Sequence, residues 1–149
     1  LSDITYSINM RLVLDADVVT AAFRSPTGAS AALLELALDG KITLLASVSL
    51  ALEYEAVLKR AEHLLACAAT LEQMDRRIRS LIALCEPVYR AYRWRPQLRD
   101  PGDEMVLEAA VNGGADMLVS FNRRDFGSVP AAFGIICLLP GKALQRIRS

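Results

Sequence analysis

Five short runs, set apart by helix-forming stretches, constrain this chain more than any other feature. They are RLVL (Arg11 to Leu14), ITLLAS (Ile42 to Ser47), a less apolar stretch from Pro87 to Trp94, ADMLVSF (Ala115 to Phe121) and GIICLL (Gly134 to Leu139). In the first, the apolar residues are consecutive, which predicts a strand through Leu14 buried on both faces. SPTG (Ser25 to Gly28) reads as a turn, and ASAALLELALDG as a helix stopped by Gly40. A second helix runs through LALEYEAVLKR. Thr70 to Gln73 spells the capping box T-x-x-Q, opening a helix that reaches about Cys85. In RDPGDEMVLEAAVNGG, Asp100 is an N-cap, Pro101 takes the first helical position, and Gly113–Gly114 ends the helix. Strands alternating with helices predict an α/β fold: a mostly parallel five-stranded sheet flanked by helices.

Composition narrows the rest. The 149 residues fit one domain, over 10–149, and the 53% apolar content is enough for a real core. Seventeen basic and 17 acidic residues cancel, which excludes a wholly cationic surface but leaves room for a local basic rim. Cys67, Cys85 and Cys137 show no CxxC spacing and are odd in number, as expected of reduced thiols in the cytoplasm. His63 is the sole histidine, with no ligand cluster around it, so zinc is not expected. No apolar run approaches the length of a membrane span. Residues 1–9, LSDITYSIN, lack signal-peptide features and precede Met10; they read as a tag or a disordered extension.

In open parallel sheets, ligands bind beyond the carboxyl ends of the strands. Asp15 directly follows RLVL, Glu53 lies on the helix after ITLLAS, Asp103 opens the helix before ADMLVSF, and Asn122 follows that strand. One sheet edge would gather them. Asp103, Val106, Leu107, Ala110 and Val111 fall on one helical stripe facing the core. Glu104 lines up instead with Glu108 and Asn112 on the wet face. Glu55 can pair with Lys59, whereas Glu53 shares its side with Leu50, Ala56 and Val57. Carboxylates on core-facing stripes need counter-charge, and a divalent cation would supply it.

Each residue also has a plainer reading. Asp15 alone is a turn or cap residue, Asp100 is first of all an N-cap, and Glu53 alone is a surface helix residue. Asn122 alone is a turn residue, Asp17 a local cap or turn residue, and Asp125 a solvated loop acid. The functional reading rests on several acids coinciding at one edge.

Taken in order, VLDADVV, SPTG, LLASVSLALEYEAVLKR, RDPGDEMVLEAA and LVSFNRRDF resemble the PIN-domain proteins, and within them the VapC-like toxins of type II toxin–antitoxin pairs. The similarity runs from about Arg11 to the end of the chain. It implies a Rossmann-like fold and a Mg²⁺- or Mn²⁺-dependent ribonuclease. It also implies that Asp15, Glu53 and Asp103 are the catalytic, metal-binding acids, with Asp100 and Asn122 as further ligands and Asp17 and Ser120 in support. Two departures stand out: Asp17 occupies the position of the family's usual Asn, and Asn122 that of its frequent fourth Asp. Hard cations such as Mg²⁺ suit this donor set, because they take a few carboxylate oxygens and keep open positions for a substrate phosphate.

RNA would need cations beside the acids. Arg90, Arg93, Arg95 and Arg99, interleaved with Tyr92 and Trp94, are candidates for phosphate contact and stacking, as are Arg123 and Arg124. A solvated face explains these arginines equally well. The resemblance further implies a cognate antitoxin that covers the acidic cleft and a homodimer. Two rival readings stay open. VLDADVV also fits the DxD strand of a haloacid-dehalogenase-like phosphatase, although Asp100 and Asp103 do not follow an apolar strand as that family requires. A PIN-like module that binds RNA or protein without cutting is the other, and Asn122 keeps it alive.

Overall fold

The computed structural model describes residues 9–89 and 97–149. Its centre is β1 (Met10–Leu14), where Leu12, Val13 and Leu14 are fully buried, as the unbroken apolar run requires. The chain then alternates: α1 (Ala16–Arg24), α2 (Ala29–Leu38), β2 (Ile42–Ser47), α3 (Val48–Leu58), α4 (Ala61–Ala66), α5 (Leu71–Leu84) and β3 (Glu86–Val88). After 97 come α6 (Pro101–Asn112), β4 (Met117–Val119), α7 (Arg123–Phe126), α8 (Val129–Ala132), β5 (Ile136–Leu138) and α9 (Pro140–Arg148). The five strands lie in the order β3-β2-β1-β4-β5, and every pairing is parallel. The sequence-based fold class is therefore correct, with "mostly parallel" sharpened to parallel throughout.

Local signals set the helix starts. Thr70 and Gln73 form the full capping box of α5, with bonds of 3.0 and 3.1 Å. Ser47 caps α3 through Leu50 N–H, and Asp100 caps α6 with Pro101 in its first turn. Gly40 and Gly114 adopt positive φ just past α2 and α6, a backbone conformation that side chains disfavour.

Some expectations are corrected, and others fall outside the described residues. The third strand pairs over Glu86–Val88, one residue earlier than expected, and the remainder of its expected span beyond Tyr89 lies outside the described residues. The expected N-terminal extension also lies outside them, apart from Asn9, which bonds Gly40 and Thr43 at the start of β2. Ala56 is exposed: the buried stripe of α3 is Leu50, Tyr54 and Leu58, and Glu53 only flanks it. Val111 is half-buried, while Ala109 joins Val106, Leu107 and Ala110 inside.

The two ends of the strands are built differently. At the amino edge, the Arg11 guanidinium bridges Glu86 and the Gly113 carbonyl, and the Arg11 N–H donates to Asp116 (2.8 Å). Gly113 is packed so tightly that a Cβ there would sit 2.8 Å from Val88 Cγ2. Lys59 joins α3 to α5 by ion pairs to Glu55 (2.9 Å) and Asp75 (2.7 Å). The carboxyl edge carries the acids.

Candidate functional site

Consecutive strands add to one side of β1 and then to the other, so the sheet has its switch point between β1 and β4, where a crevice opens beyond the strand ends. Asp15 stands there. Its N–H continues the ladder to Val119 O (2.9 Å), and its Oδ1 accepts from Ala16 N–H, capping α1. Its Oδ2 accepts from Ser120 Oγ at 2.7 Å. Asp15 is thus both cap and site residue; the plain reading and the functional one describe the same carboxylate. Ser120 is fully buried and also accepts from Asn122 N–H (2.9 Å), which fixes the turn leaving β4.

Asp17 lies one step along α1 and reaches across the crevice. Its Oδ2 accepts from Phe121 N–H (3.2 Å) and from Asn122 Nδ2 (3.0 Å). Its Oδ1 is buried and has no hydrogen-bond partner. Asn122 therefore directs its amide nitrogen to Asp17 and starts α7. Below the crevice, the buried Tyr54 of α3 donates its hydroxyl to the Leu14 carbonyl, tying that helix to the residue before Asp15. From the α6 side, Asp100 Oδ1 accepts from Gly102 N–H (2.7 Å). A Cβ on Gly102 would lie 3.0 Å from that oxygen and 3.8 Å from Glu53 Oε2, so the missing side chain leaves the space between these two carboxylates open.

Electrostatics ties the set together. Burial is the largest cause raising the Asp15 carboxyl above its ordinary value, opposed by the Ser120 and Ala16 bonds and reinforced by Asp125 and Glu53. Burial first, then the charge of Asp15, pushes Asp17 up to about 7. Asp103 rises to about 6 through burial and the charges of Asp100, Asp15 and Asp125. Among the described residues, the charges that chiefly shift these three groups are carboxylates.

Asp15, Asp17, Glu53, Asp100 and Asp103 are thus brought within electrostatic reach of one another. Among the described residues, however, no three acidic, His or Cys side chains already converge as a ligating group. The donors nevertheless suit a hard cation. Asp17 Oδ1 is left without a partner, the gap beside Gly102 is bordered by Asp100 Oδ1 and Glu53 Oε2, and Mg²⁺ needs few protein ligands because it retains waters. Arg99, Arg123 and Arg124 are exposed and in no ion pair among the described residues. Arg90, Arg93 and Arg95, with Tyr92 and Trp94, lie outside the described residues.

The family model of the PIN domain matches residues 11–124, spanning this crevice and both strands that build it. The chain belongs to the PIN-domain family. Among solved structures, one chain of the crystal structure of VapBC2 from Rickettsia felis bound to a DNA fragment from their promoter is similar in fold to this PIN domain. The TM-score is 0.60 at 15% identity, covering 86% of this chain and 97% of that one. No curated protein sequence matches the chain. Membership of the PIN family sets the dehalogenase-like reading aside.

Two acids of this PIN domain do more than the sequence alone suggests. Asp125, expected to be a solvated loop acid, is exposed on α7, yet its charge acts on both Asp15 and Asp103. The clue was its place three residues after Asn122, one helical turn from the crevice. Glu104, expected on the wet face, is half-buried, and its carboxylate accepts from the backbone N–H groups of Gln97 and Leu98.

Proposed function

We propose that this PIN domain is a metal-dependent endoribonuclease and the toxin of a type II toxin–antitoxin pair, acting in the cytoplasm. The observation that carries the reading is a set of half-buried carboxylates at the switch point, each pushed upward by burial and by its acidic neighbours. Asp15, Glu53 and Asp103 would hold Mg²⁺ or Mn²⁺, with Asp100 and Asp125 adding negative charge. Such an ion, when bound, supplies Lewis-acid polarisation of a phosphodiester and a water of lowered pKa.

The chain's own groups do the rest. Ser120 holds Asp15 in place from below, and Tyr54 fixes the height of α3, and with it Glu53, against β1. Asn122 takes the place of a fourth acid but serves as a donor that steadies Asp17. Arg99, Arg123 and Arg124 are free to meet RNA phosphates flanking the acids.

The similar chain comes from a VapBC2 structure, which supports a cognate antitoxin as partner. Val48 and Leu52, exposed on successive turns of α3, support a homodimer. No helix among the described residues is long and apolar enough to cross a membrane. The engagement of Asn122 with Asp17, and the lack of a ready-made three-ligand group among the described residues, favour one second reading: a PIN module that binds without cutting.

Purified protein with Mn²⁺ and single-stranded RNA separates the two. Cleavage that stops in EDTA and is lost in Asp15→Asn is the expected result. RNA binding without turnover at any Mn²⁺ concentration points to the binding module.

A further inference from the structure

The loop leading into α6 is fastened from the helix side. The two oxygens of the Glu104 carboxylate accept from Gln97 N–H at 3.0 and 3.1 Å, and Oε2 also accepts from Leu98 N–H at 2.9 Å. Glu104 itself donates its backbone N–H to the Asp100 carbonyl (2.9 Å), so loop, cap and first helical turn close on one another. Hydrogen bonds to an ionised carboxylate are roughly twice as strong as neutral ones. Arg99 lies between the two anchors, with Leu98 strapped on one side and the capping residue Asp100 on the other. Arg99 and Glu104 line the same cavity of about 580 Å³, beside Ser47, Val48 and Tyr89.

We propose that Glu104 is a positioning residue whose carboxylate strap holds Arg99 in place to receive a substrate phosphate. The proposal rests on the nuclease reading, and it gives Glu104 a function through its neighbour rather than through the metal. The bonds order the backbone that carries Arg99, and a residue whose backbone is held in advance loses less freedom on meeting a phosphate, so the strap acts on substrate affinity more than on the chemical step.

The test compares wild type, Glu104→Ala, Arg99→Ala and the double variant on a fluorescent single-stranded RNA with Mn²⁺. Each single substitution is expected to raise KM about tenfold while kcat stays within about twofold. The double variant should be no worse than the worse single one, because both remove the same contact. An unchanged KM, losses that multiply in the double variant, or a loss confined to kcat overturns the proposal. If Glu104→Ala does not fold, Glu104→Gln, which keeps one accepting oxygen, takes its place with a smaller rise expected in the same direction. If wild type cleaves no RNA, the nuclease reading fails by itself. Amide exchange then decides the strap: tenfold faster exchange at Gln97 and Leu98 in the variant supports it, and unchanged exchange refutes it.

Discussion

Replacing Asp17 with Asn should stabilise the metal-free protein at alkaline pH and do little at acidic pH. Asp17 titrates near 7 because it is buried and faces Asp15, so above that pH folding forces a charge into an unfavourable place. The folded carboxyl holds its proton more tightly than the unfolded one. The stability tied to that proton is complete below about pH 4 and is lost as pH rises through about 7. A rise of about three pH units corresponds to about 4 kcal/mol for a fully buried group. Asp17 is partly open to water, and screening reduces this to about 2 kcal/mol. The amide oxygen of Asn can keep the bonds from Phe121 and Asn122, and the other oxygen has no partner to lose. For a chain of this size, about 2 kcal/mol corresponds to a rise in Tm of roughly 4–8 °C. The assay is thermal unfolding of both proteins in EDTA from pH 4.5 to 8.5. Asp75 and Glu86, held low by Lys59 and Arg11, lose their contribution as pH falls, but equally in both proteins, so the difference isolates Asp17. A Tm difference of equal size at pH 5 and pH 8, or a less stable variant at pH 8, would refute the reasoning.

Two further outcomes follow from the same crevice. Ser120→Ala removes the donor to Asp15 and the acceptor for Asn122 N–H; urea unfolding should show a loss of about 1–3 kcal/mol, and NMR titration should find the Asp15 carboxyl displaced further upward. Gly102→Ala should hold stability or raise it by up to about 1 kcal/mol, since alanine favours a helix, while its Cβ crowds Asp100 and Glu53 and weakens Mn²⁺ binding several-fold by isothermal titration.

Features written in adjacent residues were legible from the sequence. The cap of α5 needs only Thr70 and Gln73, and the start of α6 only Asp100 and Pro101, so both were read correctly. Asp15 was legible as well, because a residue after a buried parallel strand must emerge at the sheet's carboxyl edge. The short helices α4, α7 and α8 carried no usable period, as a four- or six-residue segment hardly completes a turn or two. The loop contacts of Glu104 were missed because a helical wheel represents only its own helix, and the amides of Gln97 and Leu98 come from a loop folded back upon it. Asp125 and Tyr54 were missed for the same reason: their roles depend on how a neighbouring turn or strand lies, which no periodicity encodes.

The bond between Ser120 and Asp15 spans 105 residues of chain. During synthesis at about 5–20 residues per second, roughly 5–20 s pass between the emergence of one partner and the other. Through that interval the first strand, its acid and the helix carrying Glu53 have no β4 to lie against, and Asp15 has no hydroxyl to hold it. A growing chain therefore cannot assemble this crevice early, however well its first half collapses. If the acids cut RNA, they become a threat to the cell only once most of the chain has been made, and that delay gives any protective partner time to be present first.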